Sequence, residues 1–154
     1  MKDKLNIISQ ERSVLEDVVL DQLWSLKEGG PLGLMKPHKP SNKQLEELRE
    51  EFPYCADTQV ASEWRSPATG QRYWNGDVVD TSSRLVGQIK YFVCSGGAPV
   101  ARVAVWRQRE WTSETLTGIY DTREARVQHI PCHDLRSALI YSAAGLDRTV
   151  IWSL

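Results

Sequence analysis

"HDLRSALIYSAAG", residues 133–145, decides the fold class of this chain, and its spacing predicts a helix. His133 or Asp134 can cap the start, Leu135, Ala138 and Leu139 fall on one side, and Gly145 supplies a C-terminal stop. The segment after it, "RTVIWSL" (148–154), reads as a closing strand. Upstream, residues 58–131 carry a period of two rather than of three to four. The β-rich runs there are "TQVASEW", "QRYW", "DVVD", "RLVGQIKYFVC", "PVARVAVWRQREW", "TLTGIY" and "ARVQHI". Asn75-Gly76 is a preferred pair for a two-residue hairpin, and "SGGAP" (95–99) joins two long strands as another.

Further upstream the pattern is helical. "SVLEDVVLDQLWSLKE" (13–28) places Val14, Leu15, Val18, Val19, Leu23 and Leu26 on one face, and Gly29-Gly30-Pro31 ends it. "GGPLGLMKPHKP" (29–40) is a Gly/Pro-rich connector that reads as an extended arm. "SNKQLEELREEF" (41–52) opens on a capping box, Ser41 with Gln44, and Pro53 stops it. The expectation is one α+β domain over residues 1–154, with a helical segment at 1–52 and a sheet-rich part at 58–154. Its antiparallel sheet of four or more strands is packed by the N-terminal helices and one C-terminal helix.

A chain of 154 residues fits one domain, and it buries roughly two-thirds of its unfolded surface, enough for a core without staples. No apolar run approaches the roughly 20 residues a bilayer demands, and the acid-bearing start "MKDKLNIISQERSVLEDVV" has no signal-peptide core. The expected location is therefore cytoplasmic, with no membrane partner. Cys55, Cys94 and Cys132 are an odd set without C-x-x-C spacing and read as free thiols. With a net charge of −1 the chain has no global basic field for nucleic acid. The charge is uneven, however. Residues 1–58 hold 8 Lys or Arg against 11 Asp or Glu, whereas residues 59–126 hold 9 against 7, eight of the nine being Arg. Arginine suits planar bidentate contacts and stacking on aromatics, so the second part is where a ligand surface is expected.

Two readings of that surface differ in class. Trp64, Trp74, Trp106 and Trp111 sit beside Arg65, Arg72, Arg107 and Arg109. Such a Trp/Arg-bearing sheet has the composition of a protein-interface hot spot or of a single-strand nucleic-acid platform. Near-neutral net charge favours a protein partner or self-association over nucleic acid. The first reading is thus a non-catalytic interaction protein that needs no cofactor.

The second reading starts from "WNGDVVDTSSRLVGQIKYF" (74–92), where Asp77 and Asp80 precede Gln88 and Lys90 on the next strand. Residues two apart share a face, so Gln88 and Lys90 look together toward the Asp80 side. This resembles the PD-(D/E)xK nuclease fold, in its variants with Gln in place of the middle acid. The resemblance implies a magnesium site with Asp77 or Asp80 as metal ligand, Gln88 as second ligand and Lys90 as catalytic lysine. The plainer alternative makes Asp77 and Asp80 the solvated exit of a turn and Lys90 a gatekeeper on a wet face. "QHIPCHD" (128–134) groups His129, Cys132, His133 and Asp134, which reads as a capping loop more readily than as a metal or nucleophile site.

Overall fold

The computed structural model describes residues 33–51, 57–114, 116–144 and 147–151. The amphipathic segment 13–28, Phe52, Cys55 and Trp152 lie outside them. Within the described residues the chain is mostly β, which overturns the α+β expectation. Eleven strands accompany a single α-helix of seven residues. In order they are β1 (Leu34–Met35), α1 (Asn42–Leu48), β2 (Gln59–Ala61), β3 (Glu63–Arg65), β4 (Arg72–Trp74), β5 (Val78–Thr81) and β6 (Val86–Cys94). There follow β7 (Val100–Thr112), β8 (Thr117–Pro131), β9 (Leu135–Ala138), β10 (Ile140–Ala144) and β11 (Asp147–Ile151). No described helix is long and apolar enough to cross a membrane.

The correction centres on residues 133–145. Residues 132–134 form one turn of 3-10 helix, and the chain then runs as β9 and β10. The apolar spacing at Leu135, Ala138 and Leu139 fits a helix in isolation, but two neighbouring strands compete for this backbone. β9 pairs with β5 through Thr81↔Leu135 and Val79↔Ala138. β10 pairs with β11 from Ile140↔Ile151 to Ala144↔Asp147. Pairing with these two strands, despite a register shift between Val79 and Thr81, outweighs a helix propensity that amounts to tenths of a kcal/mol per residue. Asp134 therefore caps no α-helix. The Ser137 N–H that a helix would have used donates instead to Oδ1 of Asp80, at 2.8 Å.

The large antiparallel sheet has the order β10-β11-β8-β7-β6-β5-β9, with β2 also beside β6. Its two ends are consecutive in the chain. β9 and β10 are joined through Leu139 alone, whose N–H donates to the Val78 carbonyl at 2.7 Å. The sheet accordingly curls until its ends meet, and the kinked stretch 135–144 bridges β5 to β11. Closure of this kind removes free edges. One buried side chain from each wall fills the interior: Val78, Val86, Trp106, Tyr120, Leu139 and Val150. Small barrels are filled by side chains in this way.

Bulges supply the curvature. In β6 the partners step from Ile89↔Val103 to Tyr91↔Arg102, leaving Lys90 as the extra residue. In β8 they step from Arg126↔Val105 to Asp121↔Arg107, so residues 122–125 oppose Trp106 alone, and Ala125 packs against the interior layer. Strict alternation along 85–94 fails at this first bulge: Phe92 and Cys94 join the face of Ile89 instead of that of Gln88.

A second sheet, β1-β3-β4, covers the outside of the barrel. Leu34, Trp64 and Tyr73 of this sheet pack with Val79, Ile89, Phe92, Val103 and Leu135. The extended arm thus contributes a buried core residue at Leu34, and His38 bonds to Val60 in both directions. The Asn75-Gly76 turn forms, but β4 before it and β5 after it belong to different sheets. α1 begins with the expected capping box, in which Gln44 N–H reaches Ser41 Oγ and the Gln44 side chain accepts from Ser41 N–H. Leu48 then packs on Val60 and Val93. Polar groups fasten this helix: Tyr91 Oη donates to Glu47 at 2.7 Å, and Arg102 lies 5.9 Å over the Tyr91 ring. His129 Nδ1 contacts the Glu51 carboxylate.

Candidate ligand pocket at the barrel mouth

Beyond its filled layer the barrel opens into a pocket of about 480 Å³, within the usual range for small-molecule sites. Directly opposed residues share a face, and the registers show which side chains point inward. Trp111 faces Gly118, which faces Val150 of the interior layer. Gln108 faces Tyr120, also of that layer. Gln108, Trp111 and Tyr120 therefore form one wall, completed by Leu116 in the β7–β8 turn.

Asp80, Thr81, Arg84 and Arg136 form the opposite wall. Asp80 faces Val86 of the interior layer and is 8% exposed. Its Oδ1 accepts the Ser137 N–H, and no described donor bonds to its Oδ2. Thr81 Oγ1 accepts the Leu85 N–H at 3.2 Å, holding the turn that carries Arg84. Arg136 is steadied from outside the barrel, because Tyr73 Oη donates to its carbonyl at 2.5 Å. Burial raises the Tyr73 pKa, and the nearby Asp80 charge adds to that rise. The Arg84 and Arg136 side chains are exposed and make no hydrogen bond or ion pair with a described residue. Two guanidinium groups thus outnumber one carboxylate in the pocket.

Local backbone features converge here too. Three described residues other than glycine have positive φ, and two of them, Arg84 (63°) and Leu116 (50°), line this pocket. A bulky side chain in that region costs of order 1–3 kcal/mol, and such strain gathers at ligand sites. Gly118 shapes the floor: a Cβ there would lie 2.7 Å from Tyr120 Cε2. The missing side chain leaves room for the ring.

The eight residues of the Trp/Arg surface separate. Trp64 and Trp106 are core residues, 4% and 6% exposed, while Trp74 and Trp111 are 44% and 43% exposed. Trp64 stacks on Tyr73, and Trp106 meets Tyr141 edge-on. Arg65 is half-buried on β3. Arg72 lies 3.8 Å from Glu63, and Arg107 pairs with Glu124 at 2.8 Å. Arg107 and Arg109 line a second, polar hollow of about 410 Å³ with Gln108, Asp121 and Arg123. In it the Arg123 guanidinium holds the Asp121 carboxyl down at about 2. Trp111 enters the barrel mouth, whereas Trp74 belongs to the covering sheet.

The acids and the lysine of the nuclease-like stretch occupy separate places. Asp77 Oδ2 accepts the Trp74 N–H within its own turn. Asp80 enters the barrel mouth, Gln88 donates to the Gly76 carbonyl at 3.0 Å, and Lys90 sits exposed in the β6 bulge. Among the described residues no group of three His, Cys, Asp or Glu is placed to hold a metal. The 128–134 cluster also divides. His129 turns to Glu51, Cys132 is buried with its pKa raised by that burial, and exposed His133 lies 3.4 Å from Asp134.

Asp80 and Trp111 stand out in the sequence by residue type, and their companions in the pocket do not. Gln108 was accessible in principle, since it stands two residues from buried Trp106 along the same strand. Arg136 was hidden by the helical reading of 133–145. Searches against protein-family models, characterised proteins and solved structures found no match to this chain.

Proposed function

We propose that this chain is a non-catalytic binding protein whose small-molecule ligand occupies the barrel mouth. The observation that carries this reading is the convergence of Asp80, Arg84, Gln108, Trp111, Tyr120 and Arg136 on one pocket of about 480 Å³. Apolar walls with a few convergent polar groups are the usual makeup of such sites, and barrel mouths are one of their usual places. A thermal-shift screen of a small-molecule library, run on wild type and on Trp111→Ala, tests it. Authentic ligands raise the melting temperature of wild type and lose that effect in the variant. Hits that stabilise both proteins equally would remove the pocket from consideration.

A protein partner is the second reading, favoured by the exposed Trp111 standing beside the hollow of Arg107 and Arg109. A partner side chain inserted into the mouth would use the same Trp111 as its anchor. Sedimentation analysis separates the two readings: self-association lost in Trp111→Ala supports the partner, and a monomer throughout counts against self-association.

A further inference from the structure

Resting on the pocket reading, we infer that the ligand is a flat, apolar molecule bearing one anionic group and an N–H donor. Arg84 and Arg136 bring two guanidinium groups to the rim, neither engaged by a described residue. Guanidinium pairs bidentately with carboxylate, sulfonate or phosphate oxygens, so an anionic head belongs at that rim. Trp111, Tyr120 and Leu116 supply the opposite, apolar wall, and a half-exposed indole gains most from a planar surface laid against it.

Asp80 fixes the third requirement. Its carboxylate is nearly buried and accepts one hydrogen bond, at Oδ1, which leaves Oδ2 for a donor on the ligand. It also disfavours ligands with several negative charges, because each further anion would approach a carboxylate in a partly water-excluded site. A neutral aromatic offers the two guanidinium groups no anion, and a bare anion offers the indole no flat apolar surface. Both parts are needed in one molecule.

The test uses two probes with the same aromatic body. Anilinonaphthalene sulfonate carries a sulfonate and an anilino N–H; N-phenylnaphthylamine carries the N–H without the anion. Binding is read by probe fluorescence and by energy transfer from the tryptophans. The sulfonate should bind at least about tenfold more tightly than the neutral probe, the scale of one charge-assisted hydrogen bond. Arg84→Gln and Arg136→Gln should each remove most of that preference, and Arg136→Lys should restore part of it. Both arginines are exposed, and unchanged melting curves will show that the variants fold. Equal binding of the two probes, lost in Trp111→Ala, would overturn the anionic class while leaving the pocket in place. Binding of neither probe, or binding indifferent to Trp111→Ala, would overturn the pocket and the ligand class together.

Discussion

Gly118→Ala is the sharpest test of the barrel interior. The added Cβ would stand 2.7 Å from Cε2, 3.1 Å from Oη and 3.2 Å from Cζ of Tyr120. Carbon atoms settle at about 3.5–4.0 Å, so the ring must retreat by roughly 0.8–1.3 Å. Tyr120 is 3% exposed in a layer that also holds Trp106 and Val150, so the ring can retreat only toward the pocket it lines, at the expense of its packing in that layer. Overpacking of this kind costs about 1–3 kcal/mol. Against it stands the gain of about 0.5–1 kcal/mol from replacing a strand glycine. The net expectation is a loss of up to about 2.5 kcal/mol. All three atoms in collision belong to the far half of the ring, and leucine lacks them. In a Tyr120→Leu background the same Gly118→Ala change should therefore stabilise, by about 0.5–1 kcal/mol. Urea denaturation of the four proteins completes the cycle. At a slope of about 2 kcal/mol/M, a loss of 1 kcal/mol moves the midpoint down by about 0.5 M. Equal effects of Gly118→Ala in both backgrounds would refute the close approach of Gly118 and Tyr120.

Three further outcomes follow from the same geometry. Trp106→Ala, which empties the barrel layer, should cost about 3–5 kcal/mol, whereas exposed Trp74→Ala should stay within about 0.5 kcal/mol; denaturant midpoints of the two separate core from surface. Leu116→Gly relieves a left-handed backbone of φ 50° and should raise stability by about 1 kcal/mol, seen as a rise of roughly 2–4 °C in melting temperature, while weakening ligands held by the mouth. Burial pulls the His129 pKa below its ordinary 6.5 despite the Glu51 contact. The unfolded chain therefore takes the proton first, stability is full above pH 6.5 and falls as pH drops through and below it, and His129→Gln should flatten that slope in urea titrations.

Period-two patterning located β5 to β8 and the hairpin at 95–99, because a strand with one buried face writes that face into every second residue. The capping box at Ser41 was legible for a similar reason: its partners are three residues apart. The helical reading of 133–145 failed because what holds that segment is remote, in β5 and β11. The bulge at Lys90 failed likewise, and with it the pairing of Gln88 and Lys90 on one face. An extra residue is placed by the curvature that closure demands, and nothing local announces it. The pocket was half legible. Asp80 and Trp111 stood out by type, but they meet only because the sheet's two ends do.

The one-residue joint at Leu139 also sets an order of events in time. Until β9 is made, the side of β5 opposite β6 has no strand to pair with, and Ala138 follows Thr81 by 57 residues. At synthesis rates of about 5–20 residues per second that interval is roughly 3–11 s. Non-local pairings of this kind form late and slowly. During that interval the nascent protein presents an open strand flanked by Val78 and Val79, so this segment is where a chaperone or a second nascent chain would find it first.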